Sequence, residues 1–263
     1  MTRNTSPSFS QAYGTRLTCF IDLLCFKRDV QQIETNPALL LSIDAVLRHI
    51  WKCKSDIDRK RSNAGSAADA RMTSFSDCVV LSYVPTPGAA FRALWDAAFL
   101  GHVMLRAGYL PRGAITIGRM YHDDVVVYGG ALVEATDLEK HTVITPRILV
   151  ADSVMVLVRE DLVLRGDDGQ ESDYVRPSEA GPHVHILGTQ WSFLQKEREQ
   201  EQAGELHGNG ILQLFEELKA MLPERFRQAP DDRARQKLLW MRDYVNGALE
   251  EHKLPPHLRV NLP

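Results

Sequence analysis

The run of residues 72–84 sets the first limit on what this chain can fold into. Two β-rich stretches, residues 72–74 and Cys78-Val79-Val80-Leu81, are joined at Phe75-Ser76-Asp77, and Pro85 and Pro87 close the segment. So short a joint makes an antiparallel hairpin, and a hairpin alone cannot bury its apolar face. The flanking sequence supplies the partners. Residues 16–22 alternate, with Thr18, Phe20 and Asp22 on one face and Leu17, Cys19 and Ile21 on the other, as in a strand. Asn36-Pro37 opens a helix of about four turns with Leu39, Ile43, Leu47 and Ile50 on its apolar side. A polar loop is expected over 54–69. Leu94, Ala98, Gly101 and Leu105 mark a second helix over 89–107, whose small residues permit close packing on a sheet.

Residues 113–121 and 124–128 read as two strands around His122-Asp123-Asp124, followed by a helix over about 130–141 and an apolar stretch over 144–158 taken as a strand. The order β-α-β-β-α-β-β-α-β predicts an α+β fold, a ferredoxin-like antiparallel sheet with its helices on one face. Residues 165–210 are polar and interrupted by Gly and Pro, an irregular excursion. Two helices close the chain, one carrying Ile211, Leu214, Phe215, Leu218 and Leu222, the other Leu238, Met241, Val245 and Leu249. The 263 residues suit one large unit: a leader over 1–15, a main domain over 16–160, and residues 161–263 as a loop insertion plus a helical C-terminal extension packing on the same domain.

Composition restricts the partners. Thirty-one basic against 34 acidic residues give a net charge of −3, which argues against a protein that coats nucleic acid. Cys19, Cys25, Cys53 and Cys78 form no CxxC pair, as expected for a reduced, cytoplasmic protein. The polar N-terminus lacks the apolar run of a signal peptide, and no apolar run approaches the ~18 residues of a membrane span.

The sharpest chemical feature is Asp22 with Asp77, each set among apolar residues at a strand end, where an isolated carboxylate is costly. If the first strand lies beside the hairpin, both meet at one sheet end and repel unless a divalent cation neutralises them. Hard oxygen ligands select magnesium or manganese, and a two-metal carboxylate site suits in-line phosphoryl chemistry. Backbone N–H groups of residues 23–27 would then face phosphates at the turn into the first helix. Other groupings are read as structural. His183 and His185 alternate and could share a face, but no third ligand lies nearby in sequence. Lys52, Lys54, Arg59, Lys60 and Arg61 read as a solvated face, and Trp240 with Tyr244 as packing.

These segments resemble the class III nucleotidyl cyclases. Phe20-Ile21-Asp22-Leu23-Leu24-Cys25-Phe26 is similar to that family's first metal motif, and Phe75-Ser76-Asp77 sits where its second metal aspartate sits. Arg112-Gly113-Ala114-Ile115-Thr116-Ile117-Gly118 is similar to its Arg-x-Gly strand, and Tyr128-Gly129-Gly130-Ala131-Leu132 opens what would be its dimer-arm helix. The purine-reading lysine and aspartate are replaced by Thr73 and Val126. With the run from Gly130 to Glu139 and Lys237-Leu238-Leu239-Trp240-Met241-Arg242-Asp243-Tyr244-Val245-Asn246, the pattern resembles the pyrimidine cyclases of Pycsar antiphage defence.

The resemblance implies conversion of UTP, or next CTP, to the 3′,5′-cyclic monophosphate and pyrophosphate, a messenger read by a separate effector. It implies two Mn2+ or Mg2+ ions held by Asp22, Asp77 and the Leu23 carbonyl, nucleotide contacts from Phe20, Leu23, Leu24, Cys25 and Phe26, and a homodimer with its sites at the interface. The family's transition-state asparagine and arginine are replaced by Val133 and Asp137. Arg112, Arg119, Lys140 or Arg147 would have to supply the missing charge, or the chain is a degenerate cyclase that binds nucleotide as a regulator. Polymerase-like palms also combine such a sheet with paired aspartates.

Overall fold

The computed structural model describes residues 13–64, 69–142, 145–166, 170–189 and 210–262, without the side chains of 59–64, 142, 210 and 211. Strand β1 (Gly14–Leu24) is the axis of the molecule. Leu17, Cys19, Ile21 and Leu23 are at most 2% exposed on one face, as the alternation requires. Two helices follow, a short α1 (Phe26–Gln31) and α2 (Ala38–Ala64), then the hairpin of β2 (Arg71–Phe75) and β3 (Cys78–Tyr83). Phe75 pairs with Cys78, so Ser76 and Asp77 alone make the turn, with Ser76 at φ 54°.

Helix α3 (Ala89–Arg106) leads to β4 (Leu110–His122), β5 (Val127–Gly129) and α4 (Gly130–Asp137), which runs on as a wider π-turn, Leu138–Thr142. Then come β6 (Ile148–Val150), α5 (Asp152–Arg165), α6 (Glu171–Tyr174), β7 (Val175–Arg176), β8 (His183–Val184), α7 (Gly210–Arg227) and α8 (Asp232–Glu251). The eight strands form one sheet in the order β2-β3-β1-β4-β6-β8-β7, with β5 on β4. All pairings are antiparallel except β4 with β6. Strands β1 to β4 with their helices take the βαββαβ order of the ferredoxin-like arrangement, so the α+β expectation holds.

The main core lies on the odd-numbered face of β1. Ile43, Val46 and Ile50 of α2, Leu94 and Ala98 of α3, Leu214 and Leu218 of α7, and Met241 and Val245 of α8 join it. Each such side chain contributes about 1.5–3 kcal/mol by leaving water. The helices are not all on one face, however. Ala135 and Leu138 of the α4 segment pack with Phe20, Ala114 and Leu149 on the even-numbered face, and Thr116 Oγ1 donates to the Ala131 carbonyl at 2.7 Å. The two-sided burial leaves room for the site beside α4, at the end of β1.

Three further expectations are corrected. The polar loop over 54–69 is helical to Ala64, because i,i+4 ion pairs such as Lys54–Asp58 (2.7 Å) and a buried Ile57 extend α2 past its apolar stripe. The stretch over 144–158 holds only a three-residue strand before α5. Val154, Met155, Val158 and Asp161 turn inward at helical spacing there, while Val156, Val163 and Leu164 stay exposed. The excursion over 165–210 adds β7 and β8 to the sheet; its residues 167–169 and 190–209, like leader residues 1–12, lie outside the described residues. No described helix is long and apolar enough to cross a membrane, and all four cysteines are unpaired.

Candidate metal and nucleotide site

Register builds the site. Asp22, two residues from the end of β1, pairs with Cys78 of β3 on one side and Arg112 of β4 on the other. Directly opposed residues project from the same face, so the three side chains stand together. Gly113 permits this close approach, since a Cβ there would lie 1.9 Å from the Phe20 carbonyl oxygen. The hairpin turn brings Asp77 beside them, pinned by the Leu23 N–H donating to the Asp77 carbonyl at 2.9 Å. The Cys78 thiol faces Asp22 Oδ1 at 3.9 Å and Asp77 Oδ1 at 3.8 Å. Ligand atoms of Asp22, Asp77 and Cys78 all lie within 4.8 Å of one another.

The charges around this pair are unbalanced. Burial, reinforced by Asp77, holds the Asp22 carboxyl above its ordinary value against the lowering pull of Arg112. Burial and both aspartates push the Cys78 thiol up to about 12. Arg112 donates to Asp22 Oδ2 at 3.3 Å and also pairs with Glu139, which the π-turn points inward at 4% side-chain exposure. Burial, then Asp22, raise the Glu139 carboxyl. Lys237 on α8 completes the cluster; burial and Arg112 lower its ammonium pKa, and its charge acts on Asp22 and Glu139. The acidic oxygens of Asp22 and Asp77, converging at a sheet end, fit a hard divalent cation.

No protein-family model and no curated protein matches the chain. Among solved structures it is similar to a bacterial light-regulated adenylyl cyclase, at 17% identity and a TM-score of 0.38, covering 55% of this chain and 45% of that one. The chain thus spans less than half the length of that protein.

The remaining predicted residues fall in two groups. Leu23, Leu24 and Phe26 are buried core positions, with the Phe26 ring 6.0 Å from that of Tyr109, and Phe20 packs under α4. Only their backbone can serve a ligand, and the Leu23 N–H is already committed to Asp77, which removes it from the expected phosphate cradle. Cys25 takes φ 77° and turns the chain straight from β1 into α1, placing the backbone of 25–27 at the sheet end. Of the candidate cations, Arg112 alone has an ion pair with Asp22. Arg119 lies over the Tyr13 ring and Arg147 over Trp240, while the charge of Lys140 acts on Glu139. Thr73 bonds His122 Nε2 at 2.9 Å, Val126 and Val133 are exposed, and Asp137 faces out one turn beyond Val133. Lys54 is bound to Asp58, and the side chains of Arg59, Lys60 and Arg61 lie outside the described residues. Trp240 stacks on Tyr244 at 5.3 Å, as packing predicts. Sequence reasoning took Glu139 and Lys237 only as ends of family-like runs and gave neither a place in the site.

Proposed function

We propose that this chain is a nucleotide cyclase that converts UTP, and next CTP, into the 3′,5′-cyclic monophosphate and pyrophosphate. The observation that carries the reading is the convergence of Asp22 and Asp77 at one sheet end, with Arg112 and Lys237 as the nearby cations. Asp22, Asp77 and the Leu23 carbonyl would hold two Mn2+ or Mg2+ ions, which when bound acidify the attacking hydroxyl and neutralise the leaving group. The substrate's 3′-hydroxyl gives its proton to solvent as its oxygen bonds to its own α-phosphorus, the bond from that phosphorus to the α,β-bridging oxygen breaks, and pyrophosphate departs. The amides at 25–27 face the phosphates. Arg112 and Lys237 take the stabilising part for which Val133 and Asp137 are unsuited.

In this reading the enzyme is a cytoplasmic homodimer whose second copy docks on the exposed face of α4, and its product acts on a separate effector in antiphage defence. Incubation with each of the four ribonucleoside triphosphates and Mn2+ tests it. Cyclic UMP, with cyclic CMP second, is expected; equal conversion of ATP would overturn the pyrimidine preference. Val133 and Asp137, which can supply no positive charge to the transition state, favour a second reading, a degenerate cyclase that binds nucleotide and regulates a partner. Tight UTP binding without any product would select it.

A further inference from the structure

The second cluster of metal-ligating side chains lies at the far end of α8 and takes no part in the nucleotide chemistry. Lys237 and Glu251 are separated along α8 by about 21 Å at ~1.5 Å per residue. His185, just after β8, is fully buried, and its Nε2 has no hydrogen-bond partner. Glu251 Oε2 lies 3.4 Å from that nitrogen, and the ring of His252 runs nearly parallel to His185 at 6.3 Å. One ligand atom from each of the three residues falls within 4.8 Å of the others.

We propose that His185, Glu251 and His252 form a second metal site that takes one zinc-type divalent cation and clamps the end of α8 to the β8 segment. Zinc bonds to imidazole and carboxylate of ~2.0–2.2 Å set tetrahedral ligand edges of about 3.3–3.5 Å, the spacing of the His185 and Glu251 atoms. Two imidazoles and one carboxylate with an open fourth position select zinc over magnesium. The supporting shell is present. Tyr244 Oη lies 2.9 Å from His185 Nδ1 and can accept its proton, leaving the Nε2 lone pair toward Glu251. Gly188 keeps the Cδ2–Nε2 edge of the ring open, since a Cβ there would lie 2.2 Å from His185 Cδ2 and 2.5 Å from Nε2.

Arg176 pairs with the same Glu251 oxygen; a carboxylate has lone pairs enough for both, and the guanidinium fixes its orientation while opposing the incoming charge. The exposed Glu251 gives the ion an entry path. His183 is not among the residues whose ligand atoms meet within 4.8 Å, and its ring packs against Trp240 at 5.9 Å. The third ligand therefore comes from the last helix and not from the alternating histidine pair.

Chelator-treated full-length protein titrated with Zn2+ and with Co2+ tests the site. Wild type and an Asp22→Asn, Asp77→Asn double variant should each retain one tight zinc, show the visible bands of tetrahedral Co2+, and gain thermal stability on zinc addition. His252→Gln and Glu251→Gln, both near the surface, should lose all three responses while keeping a native far-UV spectrum. Wild type that binds neither ion would overturn the proposal and leave a proton on His185 Nε2 bridging to Glu251. Retention of zinc by both His252→Gln and Glu251→Gln, or its loss in the Asp22, Asp77 double variant alone, would overturn it equally.

Discussion

Asp22 carries a conflict between stability and chemistry, and its sign can be worked out. Its folded pKa stands above the ordinary 3.8, so between those values the folded chain binds the extra proton, and stability falls as pH rises through that interval. At pH 7 the whole penalty is present. Asp22→Asn is therefore expected to raise the melting temperature of metal-free protein by a few degrees at pH 7 and by nothing below pH 3.8, as read by thermal unfolding at both values. Mn2+ should stabilise wild type at neutral pH and leave Asp22→Asn unmoved, since only the ionised pair rewards the cation. Asp77→Ala should abolish turnover with the far-UV spectrum intact, because the half-buried Asp77 makes its structural bond to Leu23 through the backbone carbonyl. Lys237→Met should lower kcat by about 100-fold with KM little changed, the signature of charge needed at the transition state. An unaltered kcat would leave Arg112 alone in that role.

Among the elements, those the sequence made plain are the ones whose signal is local. The 72–84 hairpin needs two turn residues between β-rich runs, and the closing helices advertise their apolar stripes. Helix α5 did not, because Val154 to Val158 is as rich in β-branched residues as a strand, and only its packing against α3 decides its form. The contact that decides it is Asp161, 5% exposed, whose carboxylate accepts the N–H groups of Gly88 (2.6 Å), Ala90 (2.8 Å) and Phe91 (3.0 Å) at the start of α3. Gly88 offers no side-chain cap, so the cap arrives from 73 positions away. Asp161→Ala is expected to cost about 2–3 kcal/mol in urea unfolding, since two buried donors and one part-buried donor lose their acceptor. Asp161→Asn, which keeps one acceptor oxygen, should cost less. Equal loss in both would mean that side-chain volume matters more than the cap.

For the whole molecule, the pattern of legibility follows sequence distance. Asp22 and Asp77 stood out because each interrupts an apolar run, and the sheet then brought them together. Glu139 and Lys237 acquire meaning only when β4 carries Arg112 between them, a coincidence of remote segments that no local period encodes. The histidines behave in the same way. His102, His122, His183 and His252 are held down to about 4 and His185 to about 2, in each case by burial first. His122, for example, is enclosed by Ser82 Oγ at 2.8 Å and Thr73 Oγ1 at 2.9 Å, with Arg16 and Arg71 adding their charge. All five stay neutral in the fold but protonate near 6.5 when unfolded, so below that value the unfolded chain binds more protons and stability falls with pH down toward 4. The raised carboxyls Asp22 and Glu139 act in the opposite direction and cannot produce this loss. Urea unfolding of chelator-treated protein at pH 7, 6 and 5 should therefore show midpoints dropping ever more steeply, and His122→Gln, which keeps two hydrogen-bonding atoms without the titration, should flatten the slope. A midpoint unchanged from pH 7 to 5 would mean that the buried rings meet a protonation-tolerant environment, against the enclosure that the strands and α8 build around them.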